Sequence, residues 1–339
     1  MGARRGVDRL DRYQRRHAWV GFPLAVVYKF FDDQGRYLAA LIAYFGFVSM
    51  FPLLLLFVTT LGFVLNGNAA LQERIVHSAL VQFPIIGDQI GSNVRSLHGS
   101  GTGLVVGIVG TVYGGLGVAQ AAQTAMNRVW AVPRNERPNP IKARVRSLLL
   151  LLLLGLGALV TTALSGISTG GPFGINLGGW SQLAVTLLTV VADIGLFLVA
   201  FRLLTARDVS TSDIRIGAVA AGICWQLLQI LGAYYVNHEL RGTTQVYGLF
   251  GIVLGLVAWI YLEATIVVFC AEINVVARNR LWPRALLTPV TDNVQLTDAD
   301  KDAYASYAAS ETFKGFEQVD VSFDAESQRD SEPEERQPR

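Results

Sequence analysis

Six long apolar runs divide the chain, over residues 37–65, 103–125, 147–167, 180–204, 214–236 and 247–277. A transmembrane helix needs about 20 such residues. The last run is the clearest. No charge occurs between Arg241 and Glu263, so it lacks the polar face of a water-soluble helix. Gly248, Gly251 and Gly255 leave gaps where a second helix can approach closely, the small-residue packing of bilayer interiors. The pattern predicts an all-α polytopic membrane protein with six transmembrane helices.

The stretches between the runs complete the picture. Residues 1–36 hold Arg4, Arg5, Arg9, Arg12, Arg15, Arg16, Lys29 and Arg36, interleaved with Trp19, Phe22, Val26, Val27, Phe30 and Phe31. That interleaving predicts a basic amphipathic helix lying on an anionic leaflet, a lipid contact rather than a nucleic-acid one. The run beginning at Tyr37 is too long for the apolar core of a cleavable signal. Residues 66–102 form the longest loop. Leu71, Ile75, Val76, Ala79 and Leu80, then Ile86, Ile90, Val94 and Leu97 beyond Pro84, predict a helical hairpin on the outer surface. Residues 285–339 hold 13 Asp/Glu against 5 Lys/Arg and few large aliphatics, which predicts a disordered acidic tail.

Charge fixes the expected orientation. Beside the runs, 20 Lys/Arg fall on one side and three, Arg74, Arg95 and Arg241, on the other. The positive-inside rule then puts both termini in the cytoplasm. Composition agrees: the chain is 52% hydrophobic and 16% charged, against about 25% charged in soluble domains. Cys224 and Cys270 both lie inside runs, and His17, His77, His98 and His238 are scattered. Neither set suggests a disulfide framework, a zinc site or another cofactor.

Three groups of residues are candidates for chemistry. Asp193 and Glu263 lie near mid-depth, with Gln226 and Gln229 at the same level. Facing one cavity, the acids would form a proton relay or cation site. Alternatively, each is a carboxyl hydrogen-bonded across helices for stability. Glu272 is nine residues beyond Glu263, on the opposite helix face, at about the depth of Asn127, Arg128 and Arg202. An Arg–Glu pair there would be a structural lock, a gate or a headgroup contact. Tyr44, Ser49 and Pro52 form the third group. Pro52 should kink or break its helix and leave either a cavity wall or a structural bend.

No P-loop, Gly-x-Ser-x-Gly elbow, His-Glu-x-x-His or Cys-x-x-Cys is present, and no enzyme is expected. Several short motifs recur in a characteristic order: Ala43-Tyr44 with Ser49-Met50-Phe51-Pro52, Asn127-Arg128-Val129-Trp130, Tyr247-Gly248, and Trp259-Ile260-Tyr261 with Ala271-Glu272-Ile273-Asn274. On these, over roughly residues 20–280, the chain resembles the YihY/BrkB family of bacterial inner-membrane proteins. The resemblance implies six spans and, for some members, lipid or amphiphile transport. The ribonuclease label once attached to the family is regarded as a misassignment. Cys270 stands where a glycine is usual, and Glu263 where a small residue is usual. The expected function is therefore a transporter or flippase-like protein for a lipidic or amphiphilic substrate, with membrane lipids as its partners. A non-transporting scaffold recruiting partners through its charged termini is the alternative, and a ribonuclease ranks last.

Overall fold

The computed structural model describes residues 10–64, 101–168, 179–235, 244–288 and 294–323. Among these every regular element is helical. A helical turn over residues 10–16 leads into α1 (Ala18–Asp32), followed by α2 (Gly35–Val64) and α3 (Gly101–Val129). A short 3-10 turn (Arg134–Glu136) precedes α4 (Pro140–Ser168), α5 (Gly179–Leu204), α6 (Thr211–Tyr235), α7 (Thr244–Asn279) and α8 (Asp298–Ser310). The hairpin expected over residues 66–102 lies almost wholly outside the described residues, as does the acidic stretch from 324 onward.

The five helices α2, α3, α5, α6 and α7 are long and apolar enough to cross a membrane. The predicted run 147–167 falls on α4, which is 29 residues long. Only 17–33% of the apolar windows in the five is buried. Val105, Val109, Leu152, Leu187, Leu188, Val191, Ile230 and Leu231 all point outward. Large contiguous apolar surface of this kind belongs in lipid. The protein is a polytopic all-α membrane protein.

α7 is the hub, packing against α1, α2, α3 and α6, while α4 and α5 pair beside α6 and α3. The buried core is concentrated at one end, from Ala25, Val26 and Phe30 through Ala125, Met126, Val129, Phe201 and Ile214 to Val268 and Val276. The N-terminal segment and residues 294–323 pack together at this same end: Gln14 Nε2 donates to Arg284 O at 2.6 Å, and Arg284 Nε donates to Asp300 Oδ1 at 2.6 Å. We call it the capped end.

Two expectations change here. Pro52 does not end its helix, since α2 runs through it from Gly35 to Val64. Ser49 Oγ donates to Gly46 O at 2.9 Å, so its hydroxyl is turned back on its own helix. The segment forms a tight seam with α3 rather than a cavity wall. A Cβ built on Gly114 would lie 2.6 Å from Ser49 Cβ, and one on Gly110 would lie 2.6 Å from Pro52 Cβ. Close backbone approach replaces the hydrophobic drive that lipid does not supply. Tyr44 lies outside the seam, 62% exposed.

The tail is the second correction. Residues 297–310 were expected to be disordered but form α8, started by a reciprocal capping box between Thr297 and Asp300.

The seam generates a stability prediction. Gly114→Val forces side-chain atoms into the α2 backbone and should lower the melting temperature in detergent, by about 1–3 kcal/mol of stability. Gly155→Ala, where a Cβ meets nothing within 4 Å, should be neutral or mildly stabilising. Equal behaviour of the two variants would refute the seam.

Candidate functional site

At the capped end three ionisable side chains are enclosed by protein. Lys29 on α1 is 1% exposed, Asp33 is 1% exposed and Glu272 on α7 is fully buried. The Lys29 ammonium bonds Asp33 Oδ2, donates to Val129 O at 2.9 Å, and lies 3.3 Å from Glu272 Oε2. The last contact is an ion pair without hydrogen-bond geometry, and both Glu272 oxygens lack hydrogen-bond partners. Burial alone would pull the lysine pKa down. The charges of Glu272 and Asp33 outweigh that and hold it above its ordinary 10.5. Arg128 Nε stands 4.0 Å from Asp33 Oδ1, and the Tyr307 ring covers Lys29 with its centroid 5.5 Å from Nζ.

A second set of bonds adjoins the first. Arg284, 1% exposed, is gripped by Asp300 at 2.6 Å and Asp32 at 3.0 Å. Asp300 Oδ2 also accepts from Ala285 N at 2.9 Å. Tyr307 Oη donates to Asp32 at 3.4 Å. Burial raises the Tyr307 and Asp32 pKa values. Residues 297–313 thus make a strap across the capped end. Its far end is held by Glu311, which meets Arg128 at 2.9 Å and Arg134 at 2.7 Å. Hydrogen bonding and charge from Arg134, with Arg128, hold the Glu311 carboxyl below its ordinary 4.5.

The structure divides the residues singled out from the sequence. Of the expected gate, Glu272 pairs with Lys29 rather than with an arginine. Asn127 is 7% exposed and accepts from Ala206 N at 3.0 Å, pinning the end of α5. Arg128 belongs to the strap, and Arg202 is exposed on α5, apart from Glu272. At mid-depth, Gln226 Nε2 donates to Asp193 Oδ2 at 2.9 Å, joining α6 to α5. Glu263 accepts from Trp259 Nε1 of its own helix at 2.8 Å. Each acid has a partner of its own, and no hydrogen bond joins them. Gln229 is half-buried on α6.

Lys29 was expected on the lipid surface; among the described residues it is the most enclosed cation of the N-terminal segment. The signal that could have shown this is its i,i+4 spacing to Asp33. Thr297 and Asp300 likewise spell a capping box within the tail. Opposite Cys270, Gly217 of α6 supplies the room: a Cβ there would lie 2.1 Å from the Cys270 carbonyl. Gly217 N donates to Asn274 Oδ1 at 2.6 Å.

One groove opens on the apolar flank. It lies between α4 and α5, encloses about 250 Å³, and is lined by Leu153, Leu156, Gly157 and Val160 against Ala192, Gly195, Leu196 and Val199. It has no charged lining residue, and Asp193 follows Ala192 with its side chain turned away toward Gln226.

The family model described as Virulence factor BrkB matches residues 26–293. The chain belongs to the BrkB family. This BrkB chain is 23% identical over 303 residues to a UPF0761 membrane protein of Psychrobacter sp. (strain PRwf-1), covering 83% of this chain and 53% of that protein. It thus spans about half the length of that relative. It is 22% identical over 274 residues to inner membrane protein YhjD of Escherichia coli (strain K12), covering 76% of this chain and 80% of the relative. An uncharacterized protein of Dickeya dadantii (strain 3937) is 26% identical over 262 residues, 72% of this chain and 79% of its own. No solved structure matches.

Two predictions follow from the capped end of this BrkB protein. Lys29→Met leaves two buried carboxylates facing each other and should cost about 3–5 kcal/mol. Glu272→Gln keeps the Lys29–Asp33 pair and should cost clearly less. Thermal unfolding in detergent ranks the two, and the reverse order would overturn this account of the cluster.

Strap closure should depend on pH. Glu311 has a depressed folded pKa, so its contribution is whole above about 4.5, the ordinary glutamate value. It is lost as pH falls through the lower folded value. Amide exchange over residues 297–313 should therefore quicken under acid, relative to exchange in the body, and Glu311→Gln should remove that difference. Because Glu311 is 46% exposed, added salt should have a similar effect at neutral pH.

Proposed function

We propose that this BrkB-family protein carries a lipidic or amphiphilic substrate through the bacterial inner membrane. The apolar part of the substrate lies in the groove between α4 and α5. That groove is the observation in support. At about 250 Å³ it is slightly smaller than the ~300–1,000 Å³ of small-molecule pockets. It is open-sided and wholly apolar, so it suits a slender hydrocarbon chain entering sideways from lipid. From Leu153 to Val160 it runs about 10 Å along α4. Positive-inside charge puts the capped end in the cytoplasm in this reading. A proton relay between Asp193 and Glu263 is not part of it, since each acid is held by its own partner.

Reconstitution tests the reading. Proteoliposomes should move a short-chain fluorescent phosphatidylcholine analogue faster than protein-free vesicles. Gly195→Leu should cut that flux severalfold: a Cβ at Gly195 meets nothing within 4 Å, so the added side chain fills the groove without straining the fold. Flux equal to that of protein-free vesicles would sink the proposal.

A further inference from the structure

The basic side chains near the capped end divide into those with carboxylate partners and those without. Lys29, Arg128, Arg134, Arg278 and Arg284 are each paired with an Asp or Glu. Arg146 and Arg202 have no carboxylate partner among the described residues. Both lie on the two helices that form the apolar groove. Arg202 is three residues beyond the lining Val199, about 4.5 Å further along α5 and about 60° around it. Arg146 is seven residues before the lining Leu153, about 10 Å along α4 and within about 20° of the same face. Arg146 Nη1 also donates to Thr205 O at 3.4 Å. That contact draws its guanidinium across to the end of α5, one turn from Arg202. Two like charges therefore stand at the capped-end mouth of a slot without charged lining. The negative end of the α5 dipole supplies only a partial countercharge.

We propose that this slot binds an anionic phospholipid from the leaflet at the capped end. One acyl chain lies along Leu153, Leu156, Leu196 and Val199, and the phosphate meets Arg146 and Arg202. The complementarity runs in register along one track. Hydrocarbon meets aliphatic side chains at depth, and a phosphate meets guanidinium groups where the helices reach the headgroups. Guanidinium suits this task because it offers phosphate two parallel hydrogen bonds. Arg128, Arg134, Arg278 and Arg284 are already engaged by carboxylates and have less to offer a passing headgroup. The inference rests on the reading of the groove as a lipid site and adds the class of headgroup.

Native mass spectrometry of the full-length protein in detergent tests it, using phosphatidylglycerol and phosphatidylcholine of equal chain length. Wild type should retain phosphatidylglycerol over phosphatidylcholine by about 25-fold, from two charges worth about fivefold each. Arg146→Gln/Arg202→Gln should bring the ratio near unity, and Gly195→Leu should reduce retention of both lipids. Arg202→Gln alone touches only an exposed side chain, so it should lower the ratio even if the double variant unfolds. No preference in wild type, or an unchanged preference in Arg202→Gln, overturns the proposal. So does undiminished phosphatidylglycerol retention in Gly195→Leu. Absence of any headgroup preference in wild type, with its phosphatidylcholine flux intact, would sink this site and leave transport standing. The reverse result would do the opposite.

Discussion

A lysine ammonium without water is the constraint on which the capped end depends. Lys29 can remain charged at 1% exposure only because it is surrounded by acceptors: Asp33 from the turn after α1, Val129 O from the end of α3 and Glu272 from α7. Desolvation of each ion costs several kcal/mol, so the arrangement depends on the lysine being met by its partners. One side chain thereby fixes where three elements meet. Asp32 and Asp33 are neighbours, and that adjacency passes the constraint on. Asp32 grips Arg284, Arg284 grips Asp300, and Asp300 starts α8.

The molecule answers to two solvents. At the capped end it has a conventional core, with Met126, Val129, Phe201, Val268 and Val276 shielded from any surroundings. Further along the helices, large aliphatic side chains point outward and lipid takes the place of core. Contacts between helices there rely on shape. The glycines of α3 let α2 come close, and Gly217 lets α6 settle against Cys270 and Asn274. The apolar groove lies where α4 and α5 do not close fully. It is therefore an opening onto the membrane rather than onto water.

Much of this was legible in the sequence, and the exceptions have physical reasons. The runs giving α2, α3, α5, α6 and α7 could be read directly, because the length and greasiness of a span are local properties. The motif around Asn127 and Glu272 drew attention to the right depth. The partners did not follow, because pairing depends on how helices rotate about their axes. Lys29 looked like a headgroup contact because amphipathic composition cannot say whether a basic side chain meets lipid or a buried acid. Pro52 promised a break that a neighbouring glycine face absorbs. The tail looked unstructured by composition, but one cap and one buried arginine order residues 297–310. Asp193 and Glu263 shared a level in the bilayer, which said nothing about whether their side chains point the same way.

The interlock of the two chain ends carries a consequence for biogenesis. Lys29 and Asp32 leave the ribosome well before Glu272, Arg284 and Asp300. Throughout translation the early charges must stay hydrated at the membrane face, waiting for counterparts not yet made. The strap over the capped end is thus a late piece of assembly, and a nascent chain that stops before α8 has its helices inserted and its base unsealed.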